Sequence, residues 1–190
     1  MRDRLDLPGG LRLRPWQPSD VRAVLGAFEE PVMQRQADAP LTSTEAAEQW
    51  LCRRRKQWLD GAAYSFAVTD GEDMALGGAT VSNLNLEHST GWISYWTTSA
   101  ARGRRVASQG CRALVEWCFA ELALFRLELG HRTDNPASCR VALAAGFAVE
   151  GLQRGKLVYD GVRHDVETHA RLATDTPPRE APGPHRGPGP

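Results

Sequence analysis

The stretch of residues 91–119 constrains the fold more than any other part of the chain. Residues 91–98, Gly-Trp-Ile-Ser-Tyr-Trp-Thr-Thr, carry the aromatic and β-branched content of a strand. Arg102, Gly103, Arg104, Arg105, Val106 and Ala107 follow as a basic turn. Beyond it Val106, Gly110, Ala113, Leu114, Trp117 and Cys118 recur at the spacing of one helical face. A strand, a glycine-containing turn and a helix in that order make an anion site. The first N–H groups of a helix lack intrahelical partners and the macrodipole places partial positive charge there, so main chain alone can hold a phosphate. Arg102, Arg104 and Arg105 add full charges at the same place. The competing reading is a solvated, arginine-rich helix start.

Other elements follow from local signals on either side. Residues 1–10 are charged and end in Pro-Gly-Gly, which reads as a flexible leader or an edge extension. Residues 11–14 alternate apolar and basic side chains as a first strand. Ser19 and Asp20 cap an amphipathic helix with Val21, Val24, Leu25 and Phe28 on one face. Residues 29–41, with Pro31 and Pro40, read as loop. Thr42-Ser43-Thr44-Glu45 opens a second helix over residues 46–59, with Ala47, Trp50, Leu51, Arg54 and Trp58 along one side. Residues 64–69 and 75–81 form a hairpin across Asp70-Gly71, and Gly77-Gly78 signals a bulge or a close backbone approach. Residues 82–89 are polar and irregular.

After the central helix, residues 125–129 make a short strand. Pro136 opens a helix that runs to residue 145 and turns Val141, Leu143 and Ala144 toward the core, and Gly146 closes it. Residues 147–152 are extended. Tyr159-Asp160-Gly161-Val162 then turns the chain into a final strand at residues 163–172. Residues 174–190 hold Pro, Gly and charge with nothing to bury, the composition of a disordered tail. The expectation is one α/β (α+β) domain over residues 11–173, in the order β-α-α-β-β-β-α-β-α-β-β.

Length and charge narrow the function classes. A chain of 190 residues suits a single domain with a sizeable core. Basic and acidic residues number 23 each, which argues against general nucleic-acid or membrane-surface binding. Cys52, Cys111, Cys118 and Cys139 fall in helical segments with no Cys-x-x-Cys pair, so no metal is expected. They read as buried or half-buried thiols of a reducing cytoplasm. No apolar run approaches the roughly 20 residues of a membrane span, and the N-terminus lacks a signal-peptide core.

The strand, turn and helix resemble the acyl-CoA-binding motif of the GNAT superfamily of N-acetyltransferases, usually Gln or Arg, two residues, Gly, one residue, then Gly or Ala. Arg102 fills the first position and Ala107 the last, while Arg105 stands where the family usually has its middle glycine. A side chain there either obstructs the pyrophosphate or salt-bridges it. Asn135-Pro136-Ala137-Ser138, with residues 140–147 and Glu150-Gly151 after it, resembles the Rim-type branch, which acetylates protein N-termini, amino-sugar or peptide antibiotics and other amines.

The resemblance covers residues 11–172. It implies the GNAT fold, a mixed and mostly antiparallel sheet of about seven strands flanked by about four helices. It also implies acetyl-CoA as co-substrate and direct transfer to a peptide or small-molecule primary amine in a ternary complex, by a cytoplasmic monomer or homodimer. In that branch the asparagine contacts the pantetheine arm and the serine lies near the thioester sulfur as a proton donor. Those roles fall to Asn135 and Ser138, although helix capping alone accounts for both residue types. The family's organising strand splays from its neighbour, which turns backbone N–H groups near Tyr95, Trp96 and Thr97 toward the pantetheine and the thioester carbonyl.

Acyl transfer to an amine needs a neutral nucleophile, a donor for the oxyanion and a proton for the leaving thiolate. Many Rim-type proteins carry a strand glutamate as base, and Trp92 occupies that position here. Glu87 or His88 on the preceding loop is the candidate replacement through a water, against a reading of both as ordinary solvated residues. Trp92 becomes a candidate wall of the acceptor site, apolar or able to stack on a planar or cationic substrate. Trp16, Tyr64, Trp96 and Tyr159 read chiefly as packing. A site without a firm base favours an α-amine, about one-third neutral at pH 7.5, over a lysine amine, neutral to about one part in a thousand. Two further readings stay open: a non-catalytic acyl-CoA-binding module, and a transferase for a longer acyl donor.

Overall fold

The computed structural model describes residues 2–34 and 40–178. One sheet holds β1 (Leu5–Asp6), β2 (Arg12–Pro15), β3 (Tyr64–Thr69), β4 (Ala75–Asn85), β5 (Thr90–Thr97), β6 (Arg126–Arg132), β7 (Ala148–Tyr159) and β8 (Val162–Leu172). The spatial order is β1-β2-β3-β4-β5-β6-β8-β7. Every neighbouring pair is antiparallel except β5 with β6, which are joined by the crossover through α4 (Val106–Glu121). The remaining helices are α1 (Val21–Phe28), the single turn α2 (Pro31–Gln34), α3 (Thr44–Leu59) and α5 (Pro136–Ala144).

Two apolar clusters hold these layers together. One lies between the sheet and α4, where Leu13, Phe66, Ile93, Leu114 and Leu127 are fully buried. The other gathers Val24 and Phe28 of α1 with Trp50 and Leu51 of α3, and Trp16 and Trp96 pack against it. Trp16 and Trp96 stack with ring centroids 5.7 Å apart and planes 10° apart. Gly78 makes room for that stack, since a Cβ there would sit 2.8 Å from the Trp96 indole nitrogen and 2.9 Å from Trp16. The Gly-Gly pair therefore marks a close approach. The register shift in that hairpin falls instead between Val68 and Thr69.

Several expectations change in the fold. Residues 5 and 6 pair with β2, and Trp117 Nε1 donates to the Arg2 carbonyl at 2.5 Å, so the leader is an edge extension. Residues 82–85, read as irregular, continue β4 past a bulge between Ser82 and Asn85 because β5 pairs with them. Part of the expected loop at residues 29–41 forms α2, and residues 35–39 lie outside the described residues. Ala142 and Ala145, not Leu143 and Ala144, are the buried residues of the α5 end, and Leu143 is half-exposed. Cys52 is exposed on α3 rather than half-buried. Of the expected tail, Asp175 accepts from the Leu172 amide at 2.8 Å and Pro178 lies against Gly146, while residues 179–190 lie outside the described residues.

Candidate active site

The parallel pairing of β5 with β6 is short. Thr90 aligns with Arg126, Gly91 with Leu127 and Trp92 with Glu128, and there it stops. Beyond Trp92, β5 keeps its antiparallel partner β4 as far as Thr97 opposite Gly77, and β6 keeps its antiparallel partner β8 as far as Arg132 opposite Val166. The two strands part. A cleft of about 410 Å³ opens between them, lined by residues 92–95 of β5, residues 129–132 of β6, Asp134, Asn135, Ser138, Leu157 and Tyr159. Along its β5 wall the main chain has lost one hydrogen-bonding neighbour, which leaves a strand edge able to pair with amide groups of a bound ligand.

The first turn of α5 closes one side. Asn135 is its N-cap: Oδ1 accepts from the Ser138 amide at 3.2 Å and Nδ2 donates to Ser138 Oγ at 3.1 Å. Pro136 at the first helical position suits a site where no N–H is required. With Oγ already accepting from Asn135, the Ser138 O–H is left to donate. Tyr95 ties this turn to β5, its hydroxyl donating to the Ser138 carbonyl at 2.9 Å, and burial raises the Tyr95 phenol well above its ordinary range. Tyr95 is thus a fixed donor at neutral pH.

At the far end of β5 the basic turn leads into α4. Gln109 gives the first helical bond, to the Arg105 carbonyl at 3.0 Å, so the amides of Val106, Ala107 and Ser108 precede it. Among the described residues no side chain caps this terminus, and no acidic residue lies in its first turn. Gly103 has φ 76° and Arg105 φ 62°, both left-handed. Arg105 thus occupies a backbone conformation that favours glycine. Arg102 pairs with Glu30 and, through that hydrogen bond, holds the Glu30 carboxyl below its ordinary range. Arg104 and Arg105 are exposed.

Residues 10–148 match the acetyltransferase (GNAT) domain family. The chain belongs to that family. Among its relatives, the probable N-acetyltransferase YjcK of Bacillus subtilis (strain 168) is 35% identical over 86 residues, 45% of this chain and 48% of that protein. The ribosomal-protein-serine acetyltransferase of Escherichia coli (strain K12) is 30% identical over 101 residues, 53% of this chain and 56% of that protein. The chain therefore spans about half the length of the curated relatives it matches. The solved structure of RimL, a ribosomal-protein acetyltransferase in complex with coenzyme A, superposes with a TM-score of 0.80 at 23% identity, covering 89% of this chain and 97% of that one. That likeness is one of fold.

Within this GNAT domain the expected site residues divide. Trp92, Tyr95, Asn135 and Ser138 meet at the cleft, and residues 102–107 form the uncapped α4 turn. Thr97 continues the freed edge of β5, whereas the Trp96 indole is spent in the α1–α3 core and can offer a ligand only its main chain. Glu87 and His88 do not reach the wall. They sit exposed in the turn between β4 and β5, before Thr90, while the cleft opens only from Trp92 onward. A base at Glu87 would act, as expected for a residue of the loop before β5, through intervening water and not from the cleft wall.

Other wall residues carry no local signature in the sequence. Arg132 chelates the Asp134 carboxylate with bonds of 2.7 and 2.6 Å, which holds Asp134 below its ordinary range, and Arg132 lies 5.5 Å from the Tyr159 ring. The one carboxylate on the wall is therefore paired among the described residues and a weak base. His131 also lines the cleft, with its imidazole turned toward Glu167 and His169 behind the wall. Only the strand register of β6 and β8 reveals that grouping.

Proposed function

We propose that the chain is an acetyl-CoA-dependent N-acetyltransferase that moves the acetyl group to a primary amine by direct transfer in a ternary complex. The observation that carries this reading is the parting of β5 from β6 after Trp92, with Ser138 on one side of the gap and the uncapped start of α4 beyond its far end. Family membership and the coenzyme A complex of RimL support it.

In this reading the amides at the start of α4, with Arg104 and Arg105, hold the pyrophosphate, and Gly103 lets the main chain approach. The β5 edge at Tyr95, Trp96 and Thr97 pairs with the pantetheine amides, and Asn135 lies along the same arm. Amine nitrogen bonds to the thioester carbonyl carbon, the C–S bond breaks, the Ser138 O–H hydrogen-bonds the departing thiolate, and the proton that the nitrogen sheds on becoming an amide passes through water to the sulfur. With no unpaired carboxylate on the described wall, the amine arrives neutral or loses its proton to water. An α-amine, whose pKa lies near 7.7 to 8.0, meets that requirement far better than a lysine amine.

The acceptor is thus a peptide N-terminus or a small-molecule amine of depressed pKa, with Trp92 as an apolar face of its site, and the setting is the cytoplasm. Mass spectrometry of the protein incubated with acetyl-CoA and a mixed library of peptides, aminoglycosides and polyamines tests this directly. The expected product is acetylated at an amine of low pKa. A library left unmodified while acetyl-CoA binds would return the chain to the reading of a binding module.

A further inference from the structure

Behind the cleft wall, four groups from three elements point at one another. The β6–β8 register sets His131 opposite Glu167 and Leu129 opposite His169, so by the two-residue period of a strand His131, Glu167 and His169 share a face. Cys139 meets them from α5, one residue after Ser138. His131 Nε2 lies 2.9 Å from His169 Nε2 and 3.4 Å from Glu167 Oε1, His169 Nε2 lies 3.0 Å from the same oxygen, and Cys139 Sγ lies 3.7 Å from it. All four donor atoms fall within 4.8 Å of one another.

We propose that His131, Cys139, Glu167 and His169 form a binding site for one divalent zinc-class cation. A tetrahedral site with bonds of about 2.0 to 2.3 Å has ligand–ligand edges of roughly 3.3 to 3.8 Å. The separations here bracket that range, so small side-chain rotations admit the ion. Two imidazoles, a thiolate and a carboxylate are the mixed nitrogen, sulfur and oxygen set that suits zinc rather than magnesium or calcium. The charges also balance, since thiolate and carboxylate neutralise a divalent ion in a poorly solvated place.

One surrounding contact fixes the tautomer of His131 that a metal ion needs. His131 Nδ1 lies 2.9 Å from the Arg132 carbonyl, which must accept a proton, so the neutral ring presents its lone pair from Nε2. His169 Nε2 faces both Glu167 Oε1 and the His131 lone pair, so without the ion it carries the ring proton; binding requires the other tautomer, whose Nδ1–H has no hydrogen-bond partner among the described residues. Binding through Cys139 Sγ releases the thiol proton to solvent. All four positions come from protein, which makes the site structural. It would pin α5, and with it Asn135 and Ser138, to β6 and β8. This inference stands apart from the proposed acetyl transfer, because its test reads metal and not turnover.

The full chain, stripped with a chelator and dialysed, should take up one equivalent of Zn²⁺ in competition with a chromogenic chelator. Loaded instead with Co²⁺, it should show thiolate-to-cobalt charge transfer and the intense visible bands of a four-coordinate ion. Cys139→Ser, which keeps a donor toward Glu167, should abolish the charge-transfer band and weaken Zn²⁺ binding by more than about 100-fold, beyond the loss typical of an outer-shell partner. His169→Gln should weaken it similarly, and circular dichroism reports whether each variant remains folded. Cys52→Ser removes an exposed thiol and should change nothing. Failure of the folded wild type to bind one equivalent, or unchanged binding in Cys139→Ser, overturns the proposal.

Discussion

Tyr95 and Ser138 are joined across the cleft by a hydrogen bond of 2.9 Å from the phenol to the serine carbonyl. The bond links the splayed strand to the helix that carries the proposed proton donor, so it fixes the distance between the two halves of the site. Tyr95→Phe removes it without emptying the space. Stability should fall by about 0.5 to 1.5 kcal/mol, the usual net worth of one such bond. Turnover should fall further than that loss of folded protein explains. A thermal melt and a steady-state assay on the same preparation check both, and unchanged turnover would show that the bond serves the fold alone.

Arg105→Gly should act in two directions. The left-handed backbone of Arg105 favours glycine, and relief of that strain, less the added freedom of the unfolded chain, should stabilise the apo protein by up to about 1 kcal/mol. Loss of a guanidinium from the pyrophosphate site should meanwhile weaken CoA binding by about 1 to 3 kcal/mol. Unfolding curves without ligand and calorimetric CoA titrations measure the two effects separately. Tighter CoA binding in the variant would remove Arg105 from the phosphate ligands.

Arg14 is buried in β2 and holds Asp20 with two bonds of 2.8 and 2.9 Å and Asp73 with one of 2.7 Å. Asp20→Ala removes two of the five hydrogen bonds and one of the two carboxylates that the buried guanidinium has, and the loss should reach about 3 kcal/mol, the lower end for breaking a buried pair. Chemical denaturation at neutral pH gives the number.

The same cluster sets a dependence on acid. The Arg14 hydrogen bond lowers the Asp73 pKa in the folded state, so its contribution is complete above the unfolded value of about 3.9 and is lost as pH falls through the folded one. Stability attributable to Asp73 should therefore hold from neutrality to about pH 5 and decline below about pH 4. Comparing Asp73→Asn with the parent across that range should show their difference shrinking in acid, and a constant difference would contradict the linkage.

Local chemistry was legible in the sequence where it is written locally. The cap at Asn135, the proline after it, the Asp160-Gly161 turn and the uncapped basic start of α4 each depend on a few adjacent residues, and all are found. Arg14 shows where that ends. Alternation with Leu13 marks the strand but carries no sign that Arg14 is buried, since Asp73, 59 residues away, joins Asp20 to make that burial tolerable. On α5 the expected Val141 does pack against the core, but the fit against α4 and β6 buries Ala142 and Ala145 in place of Leu143 and Ala144. Glu87 looked close to the organising strand in sequence, yet the cleft begins where β6 leaves β5, a property of pairing. The group of His131, Cys139, Glu167 and His169 has no motif spacing, and it is assembled by the β6–β8 register together with the packing of α5.

Amine-dependent release of free thiol from acetyl-CoA, measured for the parent and for Ser138→Ala together with acetyl-CoA affinity, tests the central claim most directly. A peptide with a free α-amine should release thiol and its N-blocked counterpart should not. Ser138→Ala should lower turnover by about 10- to 100-fold with acetyl-CoA affinity nearly unchanged, since a bond to the leaving sulfur stabilises the transition state more than the bound thioester. Asn135 already caps α5, so the variant should melt close to the parent. Equal turnover in the two proteins, or intact acetyl-CoA binding with no amine-dependent thiol release from the parent, would contradict the account.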